Sequence, residues 1–169
     1  MLRPGEPVPD LTVARVGGGE WDVHRARRSQ DYLLLEIYRG RHCPVCAAHL
    51  SALAARREEL SGHGCALFAC SMNERALAED AVSAWGLGEL EVGYGLDEDT
   101  ARAWGLYLSD RYRDTEPLRF AEPATFVVRA DGTLYAADVR SSPHLRPQVD
   151  RLVTLVRRAA EGYPPRGAA

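Results

Sequence analysis

The segment Arg39-Gly40-Arg41-His42-Cys43-Pro44-Val45-Cys46 decides how the chain is read. Pro44 stands where the first residue of a helix belongs, since its ring presets a helical φ and its missing N–H is not needed in the first turn. Cys43 then becomes the N-cap. Behind it Cys46, Leu50, Leu53, Arg57 and Leu60 recur at helical spacing, and Gly62 is the expected C-terminal stop. A helix N-terminus presents unpaired N–H groups and a partial positive charge, which favour a thiolate. The helical phase separates the two sulfurs: Cys46 shares a face with Leu50 and Leu53, while Cys43 sits at the open end. These positions assign Cys43 as the attacking thiol and Cys46 as the resolving thiol of a dithiol couple. Two other readings of the C-x-x-C are half of a zinc site and an inert pair. Zinc takes four ligands, usually from two such knuckles, and the sequence has no second one.

Outward from this segment, alternation and β-branched content predict strands over residues 11–15, 32–38, 66–71, 91–95, 125–129 and 133–139. Helical patterns fall at 74–85 and 100–105, and at the C-terminus on Val149, Leu152, Val153 and Val156. Asp131-Gly132 between two apolar runs predicts a hairpin, and Val16-Gly17-Gly18-Gly19-Glu20 another. Strands alternating with helices describe an α/β sheet covered on both faces. Residues 106–120 are polar and aromatic without periodicity, either a binding surface or a plain connection. One domain over residues 1–161 is expected, followed by a flexible tail at 162–169 rich in Pro, Gly and Ala.

Composition narrows the function. With 46% hydrophobic and 27% charged residues the chain reads as globular. A net charge of -3 with dispersed arginines offers no basic stripe, so nucleic acid is not expected as a partner. No apolar run approaches the roughly 18 residues of a membrane span. The first residues lack the apolar core of a signal peptide, and a cytoplasmic protein is expected. No glycine-rich phosphate loop of the right spacing suggests a nucleotide or flavin, so neither cofactor nor metal is anticipated. Four cysteines in a reducing compartment point to transient redox chemistry. Cys65 and Cys70 differ by an odd number and so lie on opposite faces of one strand. Both read as buried small hydrophobes, with a third functional thiol at Cys70 as the alternative.

The chain resembles the AhpC/TSA, or peroxiredoxin-like, branch of the thioredoxin-like superfamily, in its subgroup with a Tyr-Arg-Gly-x-x-Cys-Pro-x-Cys motif. The likeness rests on Pro4-Gly5-Glu6-Pro7-Val8-Pro9-Asp10-Leu11, on Tyr38 to Cys46, and on Tyr94-Gly95-Leu96-Asp97 with Ala103-Trp104-Gly105-Leu106. Pro123-Ala124-Thr125-Phe126-Val127-Val128 and Asp131-Gly132 complete it. It implies a thioredoxin-like fold, a central mixed sheet flanked by helices, with a peroxiredoxin-like N-terminal extension. It also implies a redox-active, antioxidant enzyme forming a catalytic disulfide. Its partners would be protein or small-molecule disulfides or hydroperoxides, with a thioredoxin- or glutathione-type reductant; a redox-inert binding module on the same fold is the alternative of another class. Two departures bear on activity. If Cys46 takes the peroxidatic place, the positions of that family's Thr and Pro hold Cys43 and Arg39, so the hydroxyl that holds peroxide is missing. Where peroxiredoxins place an Arg before the late strand this chain has Pro123, which matches the substrate-facing cis-proline of thioredoxins. Glu36, near the buried acid of thioredoxins, either accepts the proton of Cys46 or faces outward. Arg41 and His42 either favour the Cys43 thiolate or form a solvated pair. The other histidines, His24, His49, His63 and His144, read as structural or surface residues.

Overall fold

The computed structural model describes residues 2–168. In chain order the elements are β1 (Thr12–Arg15), β2 (Glu20–Asp22), α1 (Val23–Ala26), β3 (Tyr32–Ile37), α2 (Pro44–Ala55), α3 (Arg57–Gly62), β4 (Cys65–Cys70) and α4 (Arg75–Ala84). Then follow β5 (Glu91–Tyr94), α5 (Glu98–Ala103), β6 (Leu108–Asp110), β7 (Arg119–Ala121), β8 (Ala124–Arg129), β9 (Leu134–Val139), a 3-10 turn (Pro143–Leu145) and α6 (Val149–Ala160). Seven strands form one mixed sheet in the order β2-β1-β5-β4-β3-β8-β9. The middle strands β3, β4 and β5 run parallel, while β8 and β9 on one side and β1 and β2 on the other are antiparallel additions. This is the thioredoxin-like α/β arrangement, with both predicted hairpins in place.

β3 shows how the sequence builds two cores. Leu33, Leu35 and Ile37 point to one face, where Phe68, Trp104 and Phe126 meet them. Leu34 and Tyr38 point to the other, beneath Cys46, Leu50 and Leu53 of α2 and Val153 and Val156 of α6. Complete burial of such side chains stabilises the fold by about 1.5–3 kcal/mol each. Trp21 stacks on Phe68 with ring centroids 3.7 Å apart, and Trp104 is likewise core, so neither tryptophan forms an open platform. No described helix is long and apolar enough to cross a membrane.

The predicted helix from Cys46 to Gly62 is two helices. It breaks at Arg56, whose φ of -103° and ψ of 7° are not helical and whose guanidinium pairs with Glu59 and Asp150. Gly62 is the last residue of α3, and the left-handed residue that turns the chain into β4 is Gly64, at φ +71°. Residues 106–120 contain a small antiparallel pair, β6 and β7, whose strands are too short to show an alternation. After α6 the chain folds back far enough for the Tyr135 hydroxyl to donate to the Tyr163 carbonyl at 3.1 Å.

Candidate active site

β3 delivers Tyr38, Arg39 and Gly40 to the start of α2, and the turn between them is held tightly. Gly40 has φ +132°, and a Cβ there would lie 2.7 Å from both Nδ2 and Oδ1 of Asn73. Only glycine fits both conditions. Asn73 Oδ1 accepts the Arg41 N–H at 2.7 Å, and the Cys43 N–H donates to the Gly40 carbonyl at 3.1 Å. Cys43 is the N-cap, in extended conformation, with Pro44 opening the helix, and its Sγ accepts the Cys46 N–H at 3.2 Å. Cys46 is fully buried on the face it shares with Leu50 and Leu53.

The two sulfurs share a proton unequally. The Cys43 thiol is lowered to about 6, first by the hydrogen bond from the Cys46 thiol, with the Cys46 amide and the Arg39 guanidinium assisting against burial. The Cys46 thiol is pushed far up, because it gives its hydrogen to Cys43 and is desolvated, while Arg146 pulls the other way. Near neutral pH the pair therefore holds a thiolate on Cys43 and a thiol on Cys46.

The cation beside Cys43 is Arg39, neither Arg41 nor His42. Arg41 turns outward to Asp80. His42 lies edge-on to Phe120 at 4.8 Å, and its imidazole is lowered by burial and by Arg39, so it is neutral at pH 7. Arg39 covers the other part of the Phe120 ring, 4.7 Å from its centroid, with Nε 3.2 Å from Glu122 Oε2. A loop residue has no periodicity to orient it, so the sequence could not choose among these cations.

Cys43 lies at the floor of a cleft of about 440 Å³ and is only 1% exposed. The cleft is also lined by Ser109, Asp110, Tyr112, Arg113, Thr115 and Glu116 of the β6–β7 hairpin and by Pro143 and His144. Glu116 folds this loop: its Oε2 accepts the N–H groups of Tyr112 at 2.8 Å and Arg113 at 3.0 Å, and its Oε1 faces Arg39 at 3.6 Å. Of the two readings of residues 106–120, a wall of the site is the one that describes them.

Beneath the dithiol Glu36 is fully buried, and its Oε1 accepts the Thr125 hydroxyl at 2.7 Å. Its Oε2 accepts Arg146 Nη1 at 2.7 Å and lies 3.4 Å from His49 Nε2. Arg146 Nη2 donates to the Ile37 carbonyl at 2.7 Å and lies 3.9 Å from Cys46 Sγ. The charged group in contact with Cys46 is thus Arg146, held by Glu36. His49, read as a structural or surface residue, takes a structural place beside Glu36, whereas Arg146 was not visible in the sequence. Arg146 follows the 3-10 turn, 100 residues from Cys46, and no motif connects them.

Two further expectations meet the structure differently. Cys65 and Cys70 are buried on opposite faces of β4, and burial pushes both thiols up to about 12. Cys70 lies on the sheet face away from α2, which separates it from the dithiol. The Glu122–Pro123 bond, expected as cis, is trans, since no peptide bond among the described residues is cis. Pro123 sits in the extended run joining β7 to β8, a path that trans X-Pro favours, and its carbonyl accepts the Arg140 N–H at 2.9 Å. It lies outside the lining of the cleft. Among the described residues no group of three or more His, Cys, Asp or Glu is placed to hold a metal ion.

Comparison with known proteins places this geometry in a family. The model of the AhpC/TSA family matches residues 4–137. No curated protein matches the chain. Among solved structures, peroxidoxin BcpB from Mycobacterium tuberculosis superposes with a TM-score of 0.75 at 14% identity, covering 94% of this chain and 98% of that one. Peroxiredoxin Q from Xanthomonas campestris gives 0.70 at 18% identity, covering 89% and 91%. A peroxiredoxin-like protein from Aquifex aeolicus gives 0.75 at 14% identity, covering 93% and 87%. The family match extends through the strand that delivers the dithiol and the hairpin that walls it in, and the chain belongs to the AhpC/TSA family, a peroxiredoxin-like oxidoreductase with the thioredoxin-like fold.

Proposed function

We propose that the protein is a thiol:disulfide oxidoreductase in which Cys43 attacks and Cys46 resolves. The observation that carries this reading is geometric: Cys43 caps the helix with its Sγ accepting the Cys46 N–H at 3.2 Å, beside a fully buried Cys46, and its thiol is lowered to about 6. The Cys43 thiolate attacks one sulfur of a disulfide R–S–S–R, forming Cys43–S–S–R and releasing RS⁻. Cys46 then attacks Cys43 Sγ and releases the second RS⁻, its own proton leaving to that thiolate or to solvent. The dithiol has given two electrons, and the Cys43–Cys46 disulfide is reopened by a thioredoxin- or glutathione-type reductant. During resolution negative charge develops on Cys46 Sγ, where the Arg146 guanidinium already stands at 3.9 Å. A fixed cation in a dry site stabilises that charge without reorganising. A disulfide that forms and reopens in each cycle is the kind expected in a reducing compartment such as the cytoplasm.

Family membership favours a second reading, with a hydroperoxide as oxidant. The Cys43 thiolate then takes the terminal oxygen of ROOH, giving the sulfenic acid and ROH. Cys46 condenses with it, forming the same disulfide and releasing water. The test is a redox titration in glutathione buffers, with Cys43 and Cys46 followed by alkylation and peptide mass mapping, and stopped-flow oxidation by hydrogen peroxide beside it. A reversible two-electron Cys43–Cys46 couple with peroxide reactivity near that of an ordinary thiolate supports the exchange reading. Peroxide oxidation orders of magnitude faster moves the assignment to a peroxidase. Failure to form the disulfide refutes both.

A further inference from the structure

Resting on the exchange reading, we infer that the cleft over Cys43 takes a low-molecular-weight disulfide bearing carboxylates, in preference to a cationic one or to a disulfide on the surface of a folded protein.

Size is the first argument. Cys43 is 1% exposed at the floor of a cleft of about 440 Å³. That volume is within the range of about 300–1,000 Å³ usual for small-molecule sites. A slender ligand fits a cleft of this size more readily than a disulfide flanked by folded backbone.

Charge is the second. The acids that line the cleft are already engaged: Asp110 pairs with Arg119 Nε at 2.8 Å, and Glu116 holds two loop amides with one oxygen and faces Arg39 with the other. Glu122, behind Arg39, accepts from Ser109 and faces Arg39 Nε. Asp114 lines the neighbouring groove. Among the described residues the guanidinium of Arg113, by contrast, forms no ion pair within 4.0 Å, and both ring nitrogens of His42 are buried without a hydrogen-bond partner. Arg113 and His42 both line the cleft. The His42 nitrogens are closed off from the cleft, so the uncommitted group open to a ligand is the exposed Arg113 cation. A carboxylate pairs with it and an ammonium does not. Repulsion between the incoming anion and the Cys43 thiolate is offset by Arg39, which stands beside the thiolate.

The test uses the full chain with Cys46→Ser, which stops the reaction at the mixed disulfide. Its rate of formation is measured with 3,3′-dithiodipropionate, 2-hydroxyethyl disulfide and cystamine, each divided by the rate of the same reagent with 2-mercaptoethanol to remove leaving-group differences. The expected result is a normalised rate for the dianion about tenfold or more above that for the dication at low salt, converging as salt rises. Arg113→Ala is expected to slow the dianion several-fold more than the neutral reagent. Equal rates or a cation preference overturn the charge inference while leaving Cys43 as the attacking thiol. A folded-protein disulfide that reacts faster than the dianion overturns the size inference. No reaction with any reagent, while the unfolded chain reacts, overturns the exchange reading itself.

Discussion

Cys43 and Cys46 are the same residue type three positions apart, and their surroundings give them opposite chemistry. The Cys43 thiol is lowered to about 6 from an ordinary 9.0, so the thiolate fraction climbs as pH rises through about 6. The rate of Cys43 alkylation by iodoacetamide, followed by peptide mapping, is expected to rise tenfold per pH unit below 6 and level off by pH 8. A midpoint near 9 would show that Cys46 and Arg39 do not stabilise the thiolate. Arg146 makes a second prediction. Arg146→Ala leaves Glu36 as a buried carboxylate without its cation, and losing one partner of such a pair costs about 3–5 kcal/mol. Urea unfolding is expected to show a loss of that size, and Glu36→Gln, which leaves the buried Arg146 guanidinium without its carboxylate, a comparable one. Position decided which of these residues the sequence revealed. Cys43, Pro44 and Cys46 are legible because helix capping fixes their roles at short range. Arg146 is contributed from 100 residues away, and only the closed fold shows it.

Among the elements, the β6–β7 hairpin lines the cleft that also holds Cys43. One carboxylate organises its loop, since Glu116 accepts two of the loop's own amides and faces Arg39. Glu116→Ala is expected to loosen the hairpin and raise the alkylation rate of Cys43 several-fold at a fixed pH, with little change in global stability, because the loop is largely exposed. An unchanged rate would mean that the hairpin does not limit access. At the other end of the site, Gly40→Ala must relieve a 2.7 Å approach to Asn73 at a positive φ, and a loss of about 1–3 kcal/mol is expected in the same urea experiment. The long elements were readable: the strands of the sheet, both hairpins and the dithiol helix follow from periodicity and turn chemistry. The short ones were not. β6 and β7 have three residues each, fewer than an alternation needs, and α2 ends at Arg56, whose ion-pair partners lie outside α2. The resemblance implies a cis bond before Pro123, and the link from β7 to β8 carries a trans one.

For the whole molecule, the lowered thiol of Cys43 couples folding to redox state. The sign follows from linkage: an acid whose folded value lies below its unfolded one stabilises the fold above the unfolded value and loses that contribution as pH falls through the folded value. With 9.0 unfolded and about 6 folded, the reduced protein gains stability between those two pH values. At pH 7 this favours the folded, reduced protein. A stabilised reduced form makes the couple a better oxidant. The Cys43–Cys46 potential is therefore expected on the oxidising side of about -270 mV, the value of thioredoxin. A potential well below that in the glutathione titration would contradict the linkage argument.

The two remaining cysteines give the sheet a further consequence. Cys65 and Cys70 are buried in separate cores on either side of β4, each held protonated to about pH 12. With Cys43–Cys46 as the proposed couple, exchange with either of these buried thiols is expected only when the fold opens, so repeated cycles of oxidation and reduction are expected to keep the connectivity while the chain stays folded. A crosslinked by-product containing Cys65 or Cys70 thus records an excursion through the unfolded state, and its rate of appearance is a chemical clock for global opening.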